Sequence, residues 1–423
     1  MRLEPLIAKQ YMVKGCEKVE TKSTRRRLMN ILLIGNGFDL AHKLPTTYKD
    51  FLEFCEKARR IYTFDDLATL DEYIEMNLLE WEMREPIKEI LRTAFAKRKC
   101  NRNYNENGTY DLKVETSNTA LDEMYTHIKD NVWLNYFLNR YKKMGQNWID
   151  FESEISRVIQ ALEDVRFQLE CEGSLFGAEE NNQNLVLSIL KVSKNTMKES
   201  YHSLDEIDCF TGYLNKELER LIRALEIYIA EFVGKIDVLY KNPDIESLTL
   251  DHVLSFNYSD TYKRVYGNEK KMEYNYIHGE ADINKNILTS NLVLGIDEYL
   301  DDDRKDKELE FLTFKKFYQR IYKSTENDYL NWMAEIRKDK SYRIHNLYIF
   351  GHSLDVTDKD ILKMFICNDN VQTKIFYYRE NEDDKRALGK LIKNLILMMG
   401  QDELIRRTGG VNKTIEFIPQ TIE

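Results

Sequence analysis

The run Ile31-Leu32-Leu33-Ile34, closed by Gly35-Asn36-Gly37-Phe38-Asp39, sets the architecture of this 423-residue chain. Four apolar residues without alternation suit a strand buried on both faces of a parallel sheet, and the glycine turn after them leads into a helix. Further short apolar segments recur only after Asn242-Pro243: His252 to Phe256, Tyr274 to His278, Leu292 to Ile296, Leu347 to Phe350, Ile375 to Tyr378 and Ile415 to Ile418. Their lengths suit strands, and the stretches around 305–338, 357–367 and 383–400 leave room for helices between them. The expected fold class is α/β: a Rossmann-like doubly wound parallel sheet whose first strand comes from the N-terminal part of the chain.

Between the first strand and the others the pattern is helical. Pro86 and Pro243 bracket a stretch with no proline, and the whole chain has 5 prolines and 17 glycines, so few residues interrupt helices. Leu214, Leu218, Leu221, Ile222, Leu225, Ile229, Phe232 and Val233 follow helical spacing on one face. The expected organisation is an extension over 1–28, a nucleotide-binding core over 29–50 and 246–423, and a large, mostly helical insertion over 51–245. Loops are expected around 100–118, where Asn101, Asn103, Asn105, Asn107 and Gly108 fall, and around 172–184. Met29, directly before the first strand, is the alternative start of the fold, and residues 1–28 carry no apolar block of secretory length. No repeat of 20–50 residues is visible.

Composition excludes several classes. Lys plus Arg is 62 against 72 for Asp plus Glu, a formal charge of -10, which opposes non-specific attraction to a phosphate backbone. With no apolar run near the roughly 18 residues of a membrane span, a membrane protein is not expected. The six cysteines stand far apart with no C-x-x-C pair, which fits a reducing cytoplasm and argues against a cysteine zinc site.

The candidate chemistry lies at the ends of the expected strands, where open α/β sheets bind ligands. The Gly35-Asn36-Gly37-Phe38-Asp39 turn allows close approach of a pyrophosphate, although Leu40 stands where the dinucleotide fingerprint needs glycine. Asn257 in Ser255-Phe256-Asn257-Tyr258, His278 in Ile277-His278-Gly279, Asp297 in Gly295-Ile296-Asp297 and the segment Gly351-His352-Ser353 follow the same form. His278 is the first choice of base or acid, because imidazole titrates near neutrality. His352 competes with it, and a lone histidine is more often structural. Asp150 and Glu154 are at i,i+4 spacing in Trp148-Ile149-Asp150-Phe151-Glu152-Ser153-Glu154, where an acidic helix start is the simpler reading. Thr357 and Asp360 have capping-box spacing, and Asp301-Asp302-Asp303 reads as a solvated loop.

Leu33-Ile34-Gly35-Asn36-Gly37-Phe38-Asp39-Leu40-Ala41-His42, with Leu44-Pro45-Thr46-Thr47-Tyr48, resembles the opening signature of the AbiH family of bacterial abortive-infection proteins. The resemblance continues in order through Trp148 to Glu152, Ser255 to Tyr258, Ile277 to Gly279, Leu294-Gly295 and Phe350 to Leu354. It implies a role in phage defence.

A more remote resemblance is to sirtuin-like NAD-binding proteins, including defence enzymes that destroy NAD. Gly35, Gly37 and Pro45 match their glycine turn and following loop, Asn257 and His278-Gly279 their later motifs, and Gly351 with Ser353 the strand end near the adenosine ribose. The resemblance implies NAD as substrate or ligand, held by Gly35, Asn36, Gly37, Phe38, Asp39, Pro45, Gly351 and Ser353. Asn257 then positions water or the nicotinamide ribose, and His278 acts as base. Asp39, Asp150 or Glu152 supplies the negative charge that an oxocarbenium-like transition state requires, Asp150 and Glu152 as auxiliary acids. Asp39 departs from the small hydroxyl residue of sirtuins and there is no zinc ribbon, so NAD cleavage is implied rather than protein deacylation. Two rival readings are a metal-dependent nuclease or phosphohydrolase using Asp39, Asp150, Glu152 and Asp297, and a non-catalytic nucleotide sensor or defence-complex subunit. A phage-derived trigger, a partner defence protein and a homo-oligomer are the further partners these readings allow.

Overall fold

In the computed structural model, residues 28–421 are described except 65, 67, 105–109, 145–149, 173–183, 187, 188, 190–203, 268–271, 299–308, 326 and 339–343. The extension expected over 1–28, all but its last residue, the loop around 172–184 and the Asp301-Asp302-Asp303 run thus lie mostly outside the described residues.

Six parallel strands form one sheet: β1 (Asn30–Ile34), β4 (His252–Ser255), β5 (Glu273–Tyr276), β6 (His345–Phe350), β7 (Val371–Tyr377) and β8 (Ile415–Pro419). Their spatial order is β5-β4-β1-β6-β7-β8, so in chain order the strands of the sheet run 3-2-1-4-5-6, the doubly wound arrangement. β1 is central, pairing Leu33 with Leu254 on one side and with Ile349 on the other. Leu33 packs with Leu254, Ile349 and Ile375 beneath the helices Tyr329–Lys338, Lys359–Ile366 and Arg386–Met399. Leu32 and Ile34 face the opposite way, onto Val253, Phe350 and Tyr262. Burial of both faces is why the run does not alternate.

The insertion has its own core. Helices α1 (Asn36–Ala41) and α2 (Tyr48–Thr63) lead from β1 into it. Thr47 opens α2 with a reciprocal capping box to Asp50. Then come α3 (Leu70–Leu79), α4 (Glu85–Ala96), α5 (Thr119–Ile128), α6 (Val132–Met144), α7 (Phe151–Glu172) and the long helix Leu204–Ile227. Leu214, Leu218, Leu221 and Ile222 are fully buried along the last of these, as their spacing requires. Phe151 stacks between Tyr48 and Phe137, with centroids 4.1 Å from each. The helix ends in a π turn, Tyr228–Phe232, from which the Tyr228 hydroxyl donates to the Pro45 carbonyl at 2.8 Å.

Three local expectations change. The stretch around 100–118 holds an antiparallel pair, β2 (Lys99–Tyr104) and β3 (Tyr110–Glu115), because a ladder satisfies its backbone groups and Asn107-Gly108 is a hairpin signal. Leu292 to Ile296 is no strand of the sheet: Leu292, Leu294 and Ile296 pack into the insertion core, and only Ile296 makes a bridge, to Lys315. At Thr357 the cap is Asp355, whose Oδ1 accepts from the Thr357 N–H at 3.2 Å, in place of the Thr357–Asp360 box.

Candidate functional site

Three strand ends interlock at the centre of the sheet, next to the point between β1 and β6 where strand order reverses. The Gly37 N–H donates to the Gly351 carbonyl at 2.8 Å, the Phe38 N–H to the Gly35 carbonyl at 2.8 Å, and the Asn257 Nδ2 also to the Gly35 carbonyl, at 3.0 Å. A Cβ on Gly37 would stand 2.8 Å from Gly351 Cα, and Gly351 itself has a φ of +69°. The glycines are thus required by backbone meeting backbone. The first-turn N–H groups of Gly37 and Phe38 already have partners.

Beside this knot, β5 delivers His278 and β6 delivers His352, with the Phe256 ring between them at centroid distances of 5.6 and 4.5 Å. His352 Nδ1 accepts from the Leu354 N–H at 2.9 Å, which leaves its Nε2 carrying the proton, 3.6 Å from Asp358 Oδ2. His278 Nε2 lies 3.3 Å from Asp358 Oδ1. Lys316 Nζ reaches the same oxygen at 3.4 Å and Glu152 at 2.7 Å. One carboxylate therefore gathers two imidazoles and an ammonium group, and α7 of the insertion adds a second carboxylate.

The electrostatics follow from burial. Burial opposes ionisation of Asp358, yet Lys316 and the two imidazoles hold its carboxyl well below the usual range. Burial pushes His278 down to about 4, against the pull of Asp358, so the imidazole is neutral at pH 7. With Nε2 facing Asp358, its buried Nδ1 has no hydrogen-bond partner among the described residues. Burial lifts Glu152 to about 7, with Lys316 pulling the other way.

The remaining candidates separate. Asp39 is fully buried at the start of α1, where Ser259 Oγ donates to its Oδ2 at 2.7 Å and burial pushes its carboxyl up to about 6. Asp150 caps α7: its Oδ1 accepts from the Glu152 N–H at 3.1 Å, and Ser153 Oγ donates to its other oxygen. Glu154 is bound by Tyr136, Arg140 and Arg157. Asn36 accepts from the Thr46 hydroxyl at 2.6 Å, and Ser353 is exposed. Asp297 is raised by burial. Lys316, rather than a second cluster of carboxylates, stands between Glu152 and Asp358.

A family model described as bacteriophage abortive infection AbiH matches residues 31–378. The chain belongs to the AbiH family. Comparison with curated proteins and with solved structures returns no match. The AbiH match takes in Glu152, Asn257, His278, Lys316, His352 and Asp358, and it stops just after β7, before β8 and the two helices that precede it. No helix among the described residues of this AbiH chain is long and apolar enough to cross a membrane.

Lys316 and Asp358 are members of the cluster that are not among the candidates from the sequence. Lys315 and Lys316 are both buried, on Glu298 and Glu152 respectively, although lysines in an amphipathic stretch ordinarily read as solvent-facing. Asp358 sits behind Asp355 and Thr357 in what reads as a helix cap. Its one sequence signal is the short distance from His352.

Proposed function

We propose that this AbiH protein acts in phage defence by hydrolysing NAD to nicotinamide and ADP-ribose, with His278 as the general base. The observation that carries the reading is the buried Nδ1 of a neutral imidazole, without a hydrogen-bond partner among the described residues, whose Nε2 is held by Asp358 at the carboxyl end of a strand in a doubly wound sheet. Water attacks the anomeric carbon of the nicotinamide ribose. The C–N bond breaks with its electron pair on nicotinamide, the new C–O bond forms, and the water proton passes to His278 Nδ1 and then to solvent. Asp358 stabilises the imidazolium that results, as a buried carboxylate does for a catalytic histidine. Asn257, tied to the Gly35 carbonyl, marks the wall against which the ribose is placed.

His278 and Asn257 are each 5% exposed. On this reading the resting protein turns over slowly, and activation consists of uncovering the imidazole. The same burial favours a second reading, in which nucleotide is bound without turnover and the insertion reports it to a partner. Purified protein incubated with NAD, with nicotinamide release followed in the presence and absence of phage lysate, separates the two. Release that His278→Ala leaves unchanged would falsify the assignment of the base.

A further inference from the structure

The helix Lys316–Tyr322 buries its polar side and shows its apolar one. Lys316 and Gln319 are each 2% exposed, whereas Ile321 and Tyr322 are 73% and 75% exposed and Phe317 is also open to solvent. The inner side is occupied: Lys316 holds Glu152, and Gln319 accepts from the Leu294 N–H at 3.1 Å and donates to the Leu294 carbonyl at 3.2 Å. Phe317, Arg320 and Ile321 stand at i, i+3 and i+4 and so share one outer stripe. Tyr318 and Tyr322 stack beside it, with ring centroids 5.7 Å apart. Single exposed apolar residues are ordinary, but an apolar stripe on a helix whose polar side chains are buried marks a contact surface.

The charge of this stripe is positive. The helix contains no carboxylate. Of the basic residues at it, Lys315 is paired with Glu298, Lys316 with Glu152 and Lys323 with Glu219, whereas Arg320 has no ion-pair partner among the described residues. Tyrosine and arginine around an apolar centre are the residues that dominate protein contacts. A lipid surface fits less well, because the helix has only seven residues and the formal charge of -10 opposes approach to anionic headgroups.

The counterpart is on α3 of the insertion. Glu72, Glu75, Met76 and Leu79 stand at i, i+3, i+4 and i+7 on its outer side, with Leu79 74% exposed, while Leu70, Ile74 and Leu78 are buried on the other. Here the charge is negative: Glu75, Glu85 and Glu89 share the guanidinium of Arg92, and Glu72 has no ion-pair partner among the described residues. One stripe offers Phe317 and Ile321 with an unpaired cation, the other Met76 and Leu79 with carboxylates in excess. Laid together, apolar meets apolar and Arg320 meets Glu72 or Glu75. Both stripes are exposed in the same chain, so neither covers the other, and a second copy supplies the complement that each requires.

We propose that the protein self-associates head to tail, the outer stripe of the helix Lys316–Tyr322 of one copy seating on α3 of the next. Such a contact leaves one face free at each end, so assembly continues past the dimer or closes into a ring. It forms on the outer side of the helix whose first residue, Lys316, holds Glu152 and Asp358. Sedimentation velocity of the full chain over a concentration series tests this. The unmodified protein is expected to show species of two or more chains whose share rises with concentration. Ile321→Asp and Leu79→Asp, both at exposed positions, are each expected to weaken association at least about tenfold by placing a carboxylate in an apolar contact. Mixed in equal amounts, the two variants are expected to form a complex of one copy of each and nothing larger, since each supplies the one intact face that the other lacks. A protein that stays monomeric at every concentration, an assembly that either variant leaves intact, or a mixture that stays monomeric overturns the proposal. So does flotation of the monomer with phosphatidylglycerol vesicles that Ile321→Asp abolishes, which assigns the helix face to lipid.

Discussion

The Glu152 carboxylate lies 2.7 Å from the ammonium of Lys316. Glu152 belongs to the first turn of α7 in the insertion, and Lys316 begins the helix Lys316–Tyr322 within the connection from β5 to β6. Lys316 also touches Asp358, which holds His278 and His352. The helical insertion is therefore coupled to the strand-end histidines through one buried ammonium group.

Removing that ammonium leaves Glu152 and Asp358 facing each other with no cation between them. Lys316→Met is expected to destabilise the protein by about 3–5 kcal/mol, the range for a buried pair that loses one partner. Glu152→Gln added to it recovers part of the loss. Urea denaturation measures both, and a loss below about 1 kcal/mol for the single variant means that the cluster is hydrated and loosely held.

On the hydrolase reading, His278→Ala lowers nicotinamide release by about 10²–10⁴-fold. Asp358→Asn leaves the imidazole in place but offers a neutral partner to Nε2, so kcat falls while KM for NAD changes little. A variant that loses binding and turnover equally shows instead that Asp358 builds the pocket.

Asp39 and His278 act on stability with opposite pH dependence. The Asp39 carboxyl is raised from 3.8 to about 6 in the folded chain, so the folded state holds that proton more tightly and stability is lost as pH rises between these values. His278, lowered from 6.5 to about 4, contributes stability that is full above 6.5 and lost as pH falls towards 4. Asp39→Asn keeps the shape of the protonated acid. Its stability relative to the unchanged protein is expected to rise from pH 4 to pH 7 by up to about 3 kcal/mol, from the linkage of a shift of that size. Urea midpoints at the two pH values check this, and a difference independent of pH shows that Asp39 is ionised throughout.

Two glycines give opposite outcomes. A Cβ on Gly389, inside the helix Arg386–Met399, meets nothing within 4 Å, so Gly389→Ala is expected to stabilise by about 1 kcal/mol through helix propensity. A Cβ on Gly351 would stand 2.1 Å from the Phe38 nitrogen at a φ of +69°, so Gly351→Ala is expected to cost at least about 3 kcal/mol. Thermal unfolding of the pair is a direct comparison. Similar melting temperatures would mean that the β1 and β6 turns can separate freely.

The order of residues makes the periodicities legible. The apolar run before Gly35 and its later counterparts made a parallel sheet readable, because burial on two faces leaves no alternation, and the spacing from Leu214 to Val233 made the helical insertion readable. It also brought Asn257, His278 and His352 forward, since each follows an apolar strand and local order is written locally. The folded chain sets what meets them. It made Leu292 to Ile296 part of the insertion core, set Asn257 on the Gly35 carbonyl, and joined Glu152, Lys316 and Asp358 across more than two hundred residues of chain. A lysine or an aspartate is compatible with solvent at almost any position in a sequence. Whether it is desolvated depends on which distant segments close over it, and that information lies in the packing of the two cores rather than in any window of residues.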